Sequence, residues 1–218
     1  MLRIKQFTFN PYQENTFVVA DAQGQCAIID PGCHTAAEQE ALRSYLDRES
    51  LQPVALLNTH GHIDHMLGNA WVKETYEVPF ITHQGVIAEL EAAPAWGAMM
   101  GLTPAPSPAP DRLVDAGDTV AVGTLSFEVL FTPGHSAGHI SFYHRPTQEL
   151  FSGDVLFLGS IGRTDLPGGD YDTLMQTIFD QVLPLGDAVK VYCGHGPMTS
   201  VGQERQGNPF LLQYAQGR

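Results

Sequence analysis

The sequence predicts an α/β fold in which two sheets are sandwiched between helices. Three observations predict it. The chain has 218 residues, 43% of them hydrophobic, enough for a sizeable core. Short apolar runs of strand length alternate with amphipathic stretches of helical period. Both halves share one plan, strands first and then alternating strand and helix.

The segments LRIKQFTF and ENTFVVAD read as strands joined by the turn NPYQ, and QCAIID as a third strand stopped by Pro31-Gly32. Thr35 and Glu38 form a capping box, and Leu42, Tyr45 and Leu46 give the helix after it one apolar face. PVALLNT is a short apolar strand, expected to be buried. A helix is expected over 66–74, a strand at VPFIT and another helix near 86–91. Residues 92–111, rich in Pro, Ala and Met, read as an irregular loop that packs through Trp96, Met99, Met100 and Leu102, residue types that are more often core than lid. The second half supplies strands TLSFEVLFT, HISFYH and ELFSG, a helix over 171–183 with Leu174, Ile178 and Val182 on one face, and AVKVYC as the last strand.

Lys plus Arg total 11 against 24 Asp plus Glu, a formal net charge of −13. Such a surface repels phosphate backbones and anionic lipid, which argues against nucleic-acid and membrane partners. No run reaches the length of a membrane span, and the N-terminus lacks the apolar block of a signal peptide. Cys26, Cys33 and Cys193 are too sparse for a disulfide framework. The reading is a cytoplasmic protein with free thiols, its oligomeric state open.

The histidines carry the chemistry. NTHGHIDHMLGN places His60, His62, Asp64 and His65 just after an apolar strand. His135 follows the strand FEVLFT, Asp154 follows ELFSG and His195 follows VKVYC. Chance can end one buried strand in a His or Asp beside glycine, but rarely four. Imidazole with carboxylate suits zinc, iron or manganese rather than calcium. Seven such groups are too many for one tetrahedral ion and suit two ions sharing a carboxylate. The set is Cys-free, which favours an open catalytic site over a closed structural one. His139 opens a strand and is expected to hydrogen-bond rather than ligate, while His34, His83 and His144 read as surface or loop residues.

THGHIDH resembles the T-H-x-H-x-D-H signature of the metallo-β-lactamase superfamily, whose fold is an αββα four-layer sandwich. IIDPG, TPGHSAGH, FSGDVLF and CGHGP follow in the family's order. The resemblance implies one metal on His60, His62 and His135, a second on Asp64, His65 and His195, and Asp154 between them. It also implies that Asp30 supports a metal-site histidine. Two divalent ions are expected, zinc first, with iron or manganese as alternatives. FSGDVLFLGSIGRTDLPGGD is similar to the glyoxalase II-like branch, notably the short bacterial YcbL-type proteins. That implies one domain over 1–218, largely without the glyoxalase II C-terminal helical region. Where glyoxalase II has a Lys and a Tyr facing glutathione, this chain has GRTD, which makes Arg163 the candidate substrate contact.

The expected reaction is hydrolysis of a small-molecule thioester such as S-lactoylglutathione by a metal-bridging hydroxide, with Asp64 orienting that hydroxide as the catalytic carboxylate. A thiolate, with a conjugate acid of pKa about 8.5, leaves without a proton donor, which favours thioesters over β-lactams. The alternative is a mononuclear-iron persulfide dioxygenase, because such enzymes also resemble the GRTD stretch.

Overall fold

The computed structural model describes residues 2–99, 101–102 and 104–217. Met100, one of the residues expected to pack in the loop, lies outside them.

Strands β1 (Arg3–Phe9) and β2 (Glu14–Ala20) form the expected antiparallel hairpin. β3 (Gln25–Ile29), β4 (Gln52–Leu57), β5 (Phe80–Thr82) and β6 (Arg112–Leu113) continue this first sheet in chain order, the last three pairings being parallel. The second sheet runs β7 (Thr119–Val122), β8 (Leu125–Phe131), β9 (Ile140–His144) and β10 (Glu149–Gly153), then β13 (Lys190–Cys193) and β14 (Thr199–Ser200). Between β10 and β13 a small hairpin, β11 (Leu156–Phe157) with β12 (Ser160–Ile161), stands apart from both sheets.

Three apolar layers hold the sandwich. Phe17, Ile29, Leu57, Phe127, Phe142 and Phe151 fill the space between the sheets. On one outer face, α1 (Ala36–Arg48), α3 (Asn69–Tyr76) and α4 (Ile87–Met99) cover the first sheet through Leu42, Leu46, Val72 and Leu90. On the other, α5 (Tyr171–Thr177), α6 (Val201–Gly207) and α7 (Pro209–Gln216) cover the second through Leu174, Val201 and Leu211. The Thr35–Glu38 capping box is present, with the Glu38 carboxylate oxygens accepting from the N–H groups of Thr35, His34 and Asn10. Among the described residues no helix is long and apolar enough to cross a membrane.

Several expectations need correction. The helix expected over 66–74 is two pieces, α2 (Ile63–Met66) and α3. The break lies at Gly68, whose N–H donates to Pro31 O at 2.7 Å, where a Cβ would come 2.8 Å from that same oxygen. The loop expected over 92–111 is helical up to Met99, and Pro94 sits inside α4 without ending it. Trp96 is 40% exposed and Met99 79%, so neither is core. His144 is buried rather than superficial, bonded through Nδ1 to Thr147 Oγ1 at 2.6 Å. The helix over 171–183 widens into a π-turn at Ile178–Val182 and then tightens into a 3₁₀ turn at Leu183–Leu185. AVKVYC is followed by one more strand, β14, and by two helices with caps visible in the sequence: Ser200, and Asn208 before Pro209.

Candidate metal centre

The four strands β4, β8, β10 and β13 end at one edge of the sandwich, and the loops after them converge. His60 and His62 lie in the loop after β4, and Asp64 and His65 on the helical turn α2. His135 follows β8, Asp154 immediately follows β10, and His195 follows β13. Nitrogen atoms of His60, His62 and His135 lie within 4.8 Å of one another, and so do ligand atoms of Asp64, His65 and His195. Asp154 stands between the groups. Its Oδ2 is 3.4 Å from His135 Nε2 and 3.5 Å from His195 Nε2, and its Oδ1 is 3.4 Å from His65 Nε2. All seven residues expected from the sequence are therefore brought together. His60, His65, His135 and Asp154 are buried, while His62, Asp64 and His195 are partly open to solvent.

The surrounding chain orients these rings. Asp30, at a left-handed φ of 48°, places Oδ2 3.2 Å from His65 Nδ1. The same carboxylate accepts from Thr59 N at 2.7 Å, Thr59 Oγ1 at 2.6 Å and Asn58 Nδ2 at 3.2 Å. His135 Nδ1 donates to the main-chain carbonyl of Arg163 at 2.7 Å, and His195 Nδ1 to that of Tyr12 at 3.1 Å. These bonds leave the Nε2 atoms of His65, His135 and His195 turned towards Asp154. Gly194 is a close approach: a Cβ there would collide with Asp154 Oδ1 and lie 2.7 Å from His65 Cε1.

Charge in the site is held in tension. Burial pushes His60 well below the ordinary histidine range, and His62 down to about 4. Burial would also lower His65, but the carboxylates of Asp154 and Asp64 outweigh it and hold His65 well above that range. Burial would raise Asp154, yet the rings of His65, His135 and His195 hold it well below the usual carboxylate range. The two carboxylates thus demand positive charge from their surroundings. Meanwhile His60 Nε2, His135 Nε2 and Asp154 Oδ1 are buried without hydrogen-bond partners among the described residues. Orphaned buried polar atoms require an explanation, and a divalent cation is one that this imidazole–carboxylate donor set fits.

A family model described as the metallo-beta-lactamase superfamily matches residues 9–195. The chain belongs to this superfamily. It is a metallo-beta-lactamase-fold protein and a metal-dependent hydrolase of that group. It is similar to the hydroxyacylglutathione hydrolase GloC of Haemophilus influenzae, at 36% identity over 96% of this chain and 98% of that one. Among solved structures it resembles the BLEG-1 B3 metallo-beta-lactamase, with 39% identity, a TM-score of 0.89, and coverage of 96% and 99% of the two chains. It also resembles TTHA1623 in a di-iron-bound form, with 37% identity, a TM-score of 0.86, and coverage of 95% and 100%.

Against that family frame, the GRTD stretch is informative. The Arg163 side chain is exposed and engages Asp165 through two bonds, Nε to Oδ1 at 2.8 Å and an η-nitrogen to Oδ2 at 2.7 Å. Its main-chain carbonyl, not its guanidinium, touches the histidine cluster. Sequence reasoning missed Tyr12, which acts through its carbonyl and so leaves no side-chain signal. It also missed Glu14, a fully buried carboxyl that burial pushes well above the usual range. A glutamate inside the otherwise apolar-polar run ENTFVVAD was the available clue. His139, as expected, is a hydrogen-bonding residue: Nε2 accepts from Asp154 N and Nδ1 faces Thr132 Oγ1. The three cysteines are free and buried.

Proposed function

We propose that this protein hydrolyses thioesters of small thiols, acylated glutathione being one such substrate. His60, His62 and His135 would hold one divalent ion and Asp64, His65 and His195 a second, with Asp154 available to both. The observation that carries this reading is the position of Asp154, whose two oxygens face rings from both groups. Ions bound there would bring the pKa of a water molecule towards neutrality and polarise a substrate carbonyl. Zinc is the first candidate; iron, as in the di-iron form of TTHA1623, and manganese are the others.

The chain's own residues do the rest. Asp64, partly open and 3.2 Å from His195 Nε2, is placed to orient the attacking water. Asp30 and the Arg163 and Tyr12 carbonyls hold His65, His135 and His195 from behind. Tyr12 is itself 37% exposed and Phe157 lies 6.2 Å from the His195 ring, an apolar rim for the acyl or thiol part of a substrate. Arg163, near the mouth through its bond to His135, is the candidate contact for a substrate carboxylate. A thiolate leaves without protonation, so a thioester asks for no proton donor at the leaving group.

The likeness to the BLEG-1 B3 metallo-beta-lactamase favours β-lactam hydrolysis as the second reading. The one-iron dioxygenase reading needs only two histidines and Asp154, and it leaves His65 and His195 without a purpose. One experiment separates the three: metal analysis of the purified protein beside turnover of S-lactoylglutathione, a glutathione-free thioester, a β-lactam and a glutathione persulfide, with dissolved oxygen followed in parallel. Two metals per chain, thioester turnover and constant oxygen are expected. Faster β-lactam turnover, or one iron with oxygen uptake on a persulfide, would overturn the proposal.

A further inference from the structure

We infer that Glu89 is a positioning residue for the three-histidine half of the site. This rests on the reading above that His60, His62 and His135 hold an ion. Glu89 stands in the first turn of α4, and its Oε2 accepts a hydrogen bond from Gly61 N at 2.7 Å. Gly61 is the residue between His60 and His62, so the bond grips the backbone that sets the spread of those two rings. The rings stand 4.7 Å apart, centroid to centroid, at 80°. The approach is close: a Cβ on Gly61 would lie 2.6 Å from Glu89 Cβ and 2.8 Å from its Oε2. The start of the same helical segment is also pressed against the loop that carries His135. A Cβ on Gly85 would lie 2.6 Å from Gly138 Cα, and one on Gly138 would lie 2.6 Å from Val86 N. One short stretch, 85–89, therefore touches both loops that supply the three histidines.

A carboxylate in a helix's first turn has an ordinary explanation, favourable interaction with the helix dipole. That explanation needs the charge but not Gly61. The positioning role needs an acceptor for the Gly61 N–H and not the charge. The amide oxygen of Gln can accept the same bond, whereas Ala leaves the N–H without it.

The test uses cobalt(II) in the full-length protein, with parent, Glu89→Ala, Glu89→Gln and His62→Gln compared. Cobalt affinity is measured by competition with a chromogenic chelator, the ligand-field absorption is recorded, and the thermal midpoint of each metal-free protein is taken. His62→Gln identifies the bands that belong to the three-histidine half. If it moves none, the assignment of that half fails, not the role of Glu89. Glu89→Ala is expected to shift those same bands and weaken that half by roughly 10–100-fold, the range for residues that orient metal ligands. Glu89→Gln should restore both to near parent values. Parent-like bands and affinity in Glu89→Ala, or equal loss in both Glu89 variants, would overturn the inference. So would a lower metal-free midpoint in Glu89→Ala with unchanged bands.

Discussion

The backbone N–H of Asp154 donates to Nε2 of His139 at 3.1 Å. The ring is fully buried, and its other nitrogen faces Thr132 Oγ1 at 2.9 Å. His139 is thus a neutral imidazole with its proton on Nδ1, spent on holding the residue shared by the two halves of the site. His139→Gln is expected to keep the parent metal stoichiometry, measured by elemental analysis, while activity falls. Loss of a metal would make His139 a ligand.

The same burial predicts a pH dependence. Burial, followed by the neighbouring His135, keeps His139 well below the ordinary value of 6.5. The unfolded chain takes up that proton below about 6.5 and the folded chain does not. This contribution to stability is present above that pH and is lost as the pH falls towards the folded-state value. Metal-free protein should therefore lose thermal stability between about pH 7 and pH 5, and His139→Gln should show a shallower slope. Equal slopes would mean that other groups set the acid response.

Asp154 faces both groups of proposed metal ligands, whereas Asp30 stands behind His65. Asp154→Ala should lose both metals and nearly all activity, since it removes the anion that both halves face. Asp30→Ala keeps every proposed ligand but frees the His65 ring and removes the acceptor of Thr59 N, while Thr59 Oγ1 and Asn58 Nδ2 keep His60 and His65 as partners. It is expected to weaken metal affinity by roughly 10–100-fold. Full metal content in Asp154→Ala, read by elemental analysis, would place the shared anion elsewhere.

The Arg163–Asp165 pair predicts opposite effects for its two members. Arg163→Ala should raise KM for anionic thioesters more than for neutral ones. Asp165→Ala releases the guanidinium and should lower KM for the anionic ones. Neither should disturb His135, which is held by the main chain. A kinetic panel on the three proteins checks this, and KM values unaffected by either substitution would remove Arg163 from substrate recognition.

Glu204 on α6 is 1% exposed and joins three elements. It accepts from Gly159 N at 2.8 Å in the β11–β12 turn, from Asn208 Nδ2 at 2.8 Å at the cap of α7, and from Thr199 Oγ1 in β14. Glu204→Ala leaves the buried Thr199 hydroxyl without its acceptor and should cost about 1–3 kcal/mol, read from denaturant unfolding. An unchanged midpoint would show that the C-terminal helices dock by apolar packing alone.

The strand ends, the capping box and the seven clustered residues were legible because each depends on local pattern. Strand period, cap chemistry and the pairing of imidazole with carboxylate beside glycine are written within a few positions of one another. The sequence by itself determined the layered α/β architecture and which imidazole and carboxylate side chains cluster at the candidate centre. What it left open depends on long-range contact. The break at Gly68 comes from Pro31 and Cys33, more than thirty residues away, pressing on that backbone. The helix through Pro94 persists where composition alone suggested a loop, and its Trp96 and Met99 face outward. Tyr12 and Arg163 orient histidines through carbonyl oxygens, which every residue type carries, so no side chain announces the role. Glu14 and Glu89 look like ordinary surface acids until the fold closes over the one and sets the other against Gly61. Only the tertiary structure decided these points, because hydrogen bonds to main-chain atoms and close backbone approaches are selected by geometry rather than by residue type.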